Sequence, residues 1–274
     1  MSYRETTIAP SRGLFHFDLM GVLHYRDLLW LLVKRDIQVR YKQAAIGVLW
    51  AVLQPLLTML LFTVIFGKLA KLGSDGLPYA VFSFAALLPW NYFAAAITRS
   101  GTSLVSNAGL ISKVYFPRLI VPLAAVLSPL LDFAISFGIL LLMMVWYGIT
   151  PTWGVLLLPL FLALAVVVAF ASCLFLAALN VQYRDVGHAL PFLVQIWMYA
   201  CPVVYSIALV PEKWRWLYSL NPMVGVIEGF RWALLGKAQP DFGAMAISSA
   251  MVVVLLFGGL VYFKRMERMF ADVI

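Results

Sequence analysis

Residues 155–179 form an apolar run with no charged side chain and Ser172 its one hydroxyl, and the chain contains several runs like it. A hydrocarbon layer about 30 Å thick offers no water to unpaired amides, so a run that crosses it must bond its own backbone as a helix of about 20 residues. Six stretches suit this, at 46–66, 79–97, 121–146, 155–179, 189–207 and 245–263. Pro55 falls inside the first of them and Pro191 and Pro202 inside the fifth, each freeing a carbonyl that neighbouring helices must satisfy. Hydrophobic residues make up 64% of the 274, where a soluble domain has about half. The expected fold class is an all-α integral membrane protein with six transmembrane helices.

Charge orients those helices. Lys and Arg number 20 against 12 Asp and Glu, a net charge of +8. In a membrane chain such an excess reports the positive-inside rule and contact with anionic membrane lipids, and it does not imply nucleic acid. Six spans place both termini on one side. That side gathers fourteen basic residues: Arg4, Arg12, Arg26, Lys34, Arg35, Arg40 and Lys42 before the first span; Arg99, Lys113, Arg118 and Arg184 in two loops; Lys264, Arg265 and Arg268 at the end. The opposite side holds six, so the termini are expected in the cytoplasm. No short apolar core with a cleavage site marks a secretory signal.

The polar interruptions carry the remaining information. Residues 101–122 offer Ser103, Ser106 and Asn107 as helix-start residues, then Leu104, Val105, Leu110, Ile111 and Val114 among polar positions, and Phe116-Pro117-Arg118 as a stop. That describes either a short amphipathic helix at a membrane face or an ordinary polar loop. Within residues 1–45 the apolar patch 28–33 is too short to span and suits an interfacial helix; the alternative is a disordered basic tail. Residues 222–235 are again too few to span, and Glu228 and Arg231 sit three apart, close enough to pair on one helical face. The division expected is a cytoplasmic basic segment (1–45), a six-span membrane domain (46–263) and a tail (264–274).

Several chemistries are excluded. No Gly-x-x-x-x-Gly-Lys-Ser/Thr loop occurs, so ATP phosphates have no such cradle here. Cys173 and Cys201 stand alone in apolar runs, and His16, His24 and His188 are scattered, which suggests neither a disulfide nor a metal site. No hydrolytic residue set is visible; energy for any work on a substrate must come from a partner.

Wording narrows the choice. The run Gly47 to Leu56 after Tyr41-Lys42-Gln43, Lys113-Val114-Tyr115-Phe116-Pro117-Arg118 with Leu131-Asp132-Phe133, Asn180-Val181-Gln182-Tyr183-Arg184-Asp185-Val186, Pro202-Val203-Val204-Tyr205, and Asn221-Pro222 with Glu228-Gly229-Phe230-Arg231 follow one another in an order that resembles the type-2 ABC exporter permeases of O-antigen, capsular polysaccharide or teichoic acid. The resemblance implies a non-enzymatic permease in the bacterial inner membrane, with no cofactor of its own. It implies coupling loops at 101–120 and 180–188, with Lys113, Tyr115, Phe116, Pro117, Arg118, Tyr183, Arg184 and Asp185 facing an ATPase, and an outer re-entrant hairpin at 221–236 built on Asn221, Pro222, Glu228 and Arg231. Two copies would bind two nucleotide-binding subunits carrying ATP and Mg, and move a lipid-linked polysaccharide outward.

Three residue sets have a second reading each. Arg35, Arg40 and Lys42 either express plain positive-inside bias or meet the ATPase and the pyrophosphate of an arriving lipid-linked substrate. Trp90, Asn91, Tyr92 and Phe93 with Trp197, Tyr199 and Tyr205 either line a conduit for sugar rings or pack as ordinary helix and interfacial aromatics. Asp132 shares a helical face with Ser128 and Ser136; it either borders the path or bonds to those serines or a facing helix. Rival functions are export of teichoic acid or a small amphipathic drug, an ion-coupled carrier using Asp132, and a membrane scaffold.

Overall fold

The computed structural model describes residues 19–42, 47, 49–236, 241–267 and 269–270. The basic residues Arg4, Arg12, Lys237 and Arg268, and the segment before residue 19, lie outside them. Every regular element among the described residues is helical: α1 (Leu19–His24), α2 (Arg26–Lys42), α3 (Leu49–Phe62), α4 (Tyr79–Ser106), α5 (Ala108–Ile111), α6 (Ile120–Leu127), α7 (Leu130–Trp146), α8 (Leu158–Gln182), α9 (Asp185–Tyr199), α10 (Glu212–Tyr218), α11 (Pro222–Leu235) and α12 (Phe242–Met266). Among the described residues, five stretches are long and apolar enough to cross a membrane: Leu49–Leu69, Tyr79–Ser106, Ile120–Trp146, Trp153–Gln182 and Phe242–Met266.

Helix α4 is the centre. From Val81 to Phe93 nearly every side chain is buried, because α3, α6, α7, α8, α9 and α11 all pack on it. It is nine residues longer than the 79–97 expected from hydropathy. Ser103 and Ser106 therefore belong to the end of α4 and do not start a new helix. The reason is that its polar side chains return to the backbone: Thr98 donates to the Ala94 carbonyl at 2.8 Å and Ser103 to that of Ser100 at 2.7 Å, so polarity is absorbed without breaking the rod. Asn107 caps the end, its amide donating to the Ser103 carbonyl at 2.8 Å. The expected amphipathic helix shrinks to the single turn of α5.

Prolines shape the other departures. The stretch 120–146 is two helices, since Pro129 lacks an N–H and a break at Ser128-Pro129 separates α6 from α7. The run expected to be helical from 189 to 207 stops at Tyr199; the chain then turns through Pro202, and α9 has 15 residues. In α3 the first span ends in a π-helical turn, Thr63–Leu69, closed by the Ala70 amide on the Ile65 carbonyl.

Helix α11 has the clearest ends. The Asn221 side chain accepts from the Met223 amide at 3.2 Å, Pro222 takes the first helical position, and Gly236 closes in the left-handed conformation at φ 64°. All of its residues except Glu228 and Trp232 are buried. Its two glycines make that possible. A Cβ on Gly225 would stand 2.7 Å from Ser248 of α12, and one on Gly229 would stand 2.4 Å from the Phe161 ring of α8.

The bundle therefore has two distinct ends. At one, Gly101 meets Leu190 and Thr102 meets Gly187, so the connections after α4 and α8 adjoin, and Arg118 reaches the end of α12. At the other, Thr152 meets Gly236, and Asp75, Ser206, Arg215, Glu228, Asp241 and Met245 line one cavity of about 200 Å³.

Candidate functional site

The end that gathers both polar connections presents two small exposed surfaces. In the first, Lys113, Val114 and Tyr115 stand free, with Tyr115 63% exposed. Phe116 beside them is only 5% exposed and joins the hydrophobic core, while Pro117 and Arg118 are half-buried. Phe116 and Arg118 thus hold the loop, and Lys113 to Tyr115 are what a partner could touch. The second surface is Tyr183, Arg184 and Asp185, all exposed. Tyr183 and Arg184 form the two-residue link between α8 and α9, made rigid by the buried Asn180, whose side-chain oxygen Oδ1 accepts from the Gly187 amide at 2.8 Å. Asp185 sits in the first turn of α9, where the helix dipole favours an acid.

Nearby, α2 is fastened to the third span. Arg40 and Tyr41 both donate to the carboxylate of Asp132, one to each oxygen, and Arg40 also reaches the Ser128 hydroxyl at 3.3 Å. Ser136 turns elsewhere, to the Ala51 carbonyl at 3.5 Å. Burial, then the bond to Asp132, pushes the Tyr41 hydroxyl above its ordinary value. The Arg40 Nε is buried with no partner. Of the other basic residues read from the sequence in this segment, Arg35 pairs with Asp36 at 2.8 Å and Lys42 is exposed. Leu32 and Val33 of α2 face the protein, whereas Trp30 and Leu31 face outward.

The aromatic residues divide by helix. Trp90, Tyr92 and Phe93 of α4 are closed in by neighbours, Tyr92 meeting Phe133 and Phe93 meeting Trp197 edge-to-face at 5.1 Å. Asn91 is partly exposed, Tyr199 is half-exposed, and Tyr205 shares a hydrogen bond of 2.9 Å with Tyr218. Trp197 bonds Asn221 at 3.2 Å, linking α9 to the start of α11. The α4 group is core within one chain; Tyr199, with Phe192, Leu193 and Ile196, forms an outward stripe on α9.

Arg231 organises the opposite end. Its guanidinium donates to the Val203 carbonyl at 2.8 Å, the Tyr205 carbonyl at 3.2 Å and Glu228 at 3.3 Å, and lies 3.7 Å from the centre of the Phe82 ring. Tyr79 adds a bond of 2.6 Å to the Val204 carbonyl. One side chain from α11 and one from α4 therefore clamp the turn that follows α9. Sequence reading missed Phe82, Tyr79 and the three carbonyls, which only the fold assembles. Among the described residues, no group of three or more His, Cys, Asp or Glu is placed to hold a metal ion.

An all-helical bundle with five apolar spanning stretches and short polar connections at one end is a multi-pass membrane protein. The family model described as ABC-2 type transporter matches residues 27–235, and the chain belongs to that family. It is similar to the O-antigen export system permease protein RfbA of Myxococcus xanthus, 30% identical over 90% of this chain and 95% of that protein. A protein of the same name from Klebsiella pneumoniae is 29% identical over the same shares. The polysialic acid transport protein KpsM of Escherichia coli is 25% identical over 85% of this chain and 91% of its own length.

Proposed function

We propose that this chain is the permease subunit of an ATP-driven exporter, moving a lipid-linked polysaccharide of O-antigen or capsule type from the cytoplasm across the bacterial inner membrane. The observation that carries the reading is similarity along nearly the whole length to permeases named for O-antigen export and polysialic acid transport. Two copies pair and engage two nucleotide-binding subunits, on which ATP and Mg are bound. The end with Lys113 to Tyr115 and Tyr183 to Asp185 is cytoplasmic, in keeping with the fourteen basic residues on that side. Those six residues touch the ATPase, with Phe116, Pro117 and Arg118 supporting them.

Helix α9 with the turn to Tyr205 counts as a further span, giving six, and α11 with the preceding α10 is a re-entrant outer hairpin. Helix α2 lies at the inner interface with Trp30 and Leu31 toward lipid, and Arg35 and Lys42 meet the pyrophosphate of the arriving substrate. The conduit forms between two copies, along Asn91, Tyr199 and Tyr205. Engagement of Asp132 by Arg40 and Tyr41 supports a fastening role for that acid over ion coupling.

The test is to co-express the chain with its cognate nucleotide-binding subunit, purify through a tag on this chain, and assay ATP hydrolysis. A stable complex is expected, and Tyr115→Ala with Arg184→Ala lowers its yield. A chain that purifies alone and has no ATPase partner overturns the reading.

A further inference from the structure

Helix α12 does not simply stop at Met266. Lys264 pairs with Glu267 at 2.8 Å, the Met269 amide bonds the Met266 carbonyl at 2.9 Å, and the Phe270 amide reaches the Glu267 carbonyl at 3.3 Å, closing a compact turn. A lysine in the last turn of a helix also satisfies the negative end of its dipole. Phe270 is fully buried and meets Phe263 edge-to-face at 5.3 Å.

Onto this turn the first polar connection sends Arg118. Its guanidinium donates to the Glu267 carbonyl and stands 6.0 Å from the centre of the Phe270 ring. The loop is thereby gripped on one flank, with Phe116 sunk into the core two residues earlier, while Lys113, Val114 and Tyr115 stay free. A planar, permanently charged group held between a carbonyl and a ring has few alternatives within reach, so loop and turn are constrained to move together. Helix α12 packs along α8 and α11, which gives such a movement somewhere to go.

We propose that the turn from Glu267 to Phe270 is a positioning element of the ATPase-facing surface: it clasps the first loop through Arg118 and passes the loop's displacement into the last helix. The proposal rests on the reading that this loop meets a nucleotide-binding subunit. Phe270 contacts no partner in this scheme and acts only through Arg118.

The experiment is amide hydrogen exchange on the purified complex in lipid nanodiscs, compared without nucleotide and after trapping with ATP and vanadate. In the native complex, peptides spanning 112–118 and 260–267 are both expected to change protection on trapping. In Phe270→Ala the response at 260–267 is lost while that at 112–118 remains; Phe270→Tyr, which keeps the ring, behaves like the native chain. Arg118→Lys, which keeps the charge but loses the planar fork, reproduces the loss and covers the case in which Phe270→Ala fails to assemble. A native complex silent at 260–267, or a response there that survives both Phe270→Ala and Arg118→Lys, overturns the proposal. Silence at 112–118 in an assembled native complex instead overturns the placement of the ATPase on this loop, and the clasp's role with it.

Discussion

Among the described residues, the arginine–carboxylate pairs Arg231–Glu228 and Arg40–Asp132 are built differently. Arg231 and Glu228 are three residues apart on one helix, and the guanidinium is also spent on two backbone carbonyls and the Phe82 ring. Arg40 and Asp132 are 92 positions apart and join α2 to the third span, with Asp132 27% exposed. The worth of an ion pair depends on what else its members hold. The first is woven into the turn that follows α9; the second fastens α2 to the third span.

The sharpest way to break the comparison is Arg231→Ala. It strands the partly buried Glu228 and two carbonyls at once, and an expected loss of about 3–5 kcal/mol should abolish a folded, monodisperse chain in detergent, read by thermal melting. Asp132→Ala should cost less overall, because Arg40 at the bundle's edge can turn toward water. Its signature is local: trypsin should cut after Arg35 and Lys42 about tenfold faster, with little change in the melting midpoint. Equal global losses for the two variants would erase the distinction drawn here.

Gly229→Ala separates charge from packing within α11. The new methyl meets the Phe161 ring, and a loss of about 1–3 kcal/mol is expected with the Arg231 contacts intact. The smallest effect is a pH dependence. Tyr41 keeps its proton more tightly in the folded state, so its contribution is fully present below the ordinary tyrosine value near 10 and fades as pH rises through the raised folded one. Proteolytic release of α2 should therefore accelerate above about pH 10, and Tyr41→Phe should flatten that rise.

The contrast between the pairs also measures how far the sequence could be read. Spacing alone brings Glu228 to Arg231, and Asn221-Pro222 with Gly236 marks the ends of α11, since caps are local chemistry. Arg40 and Asp132 carry no such signal, because their meeting depends on how α2 lies across α6. The end of α4 is hidden for a different reason: Thr98 and Ser103 have the polarity of loop residues, yet their hydroxyls return to backbone carbonyls within the helix. Positions 90, 92 and 93 cannot share one face of a helix with 3.6 residues per turn, so aromatic density there reports burial all round. The break at Pro129 is legible in the residue itself, which has no amide hydrogen to give the helix.

One feature of α4 has a mechanical meaning. Its 28 residues at 1.5 Å each make a rod of about 42 Å, longer than the hydrocarbon layer of about 30 Å. One tip adjoins the loop bearing Tyr115, and the other, through Tyr79, grips the turn that Arg231 also holds. A thrust at the first tip therefore arrives at the second as displacement of a single stiff member, like a pushrod, without relay through side-chain rearrangements. Pro89, the one residue of the rod with no amide hydrogen, is where that member is most compliant.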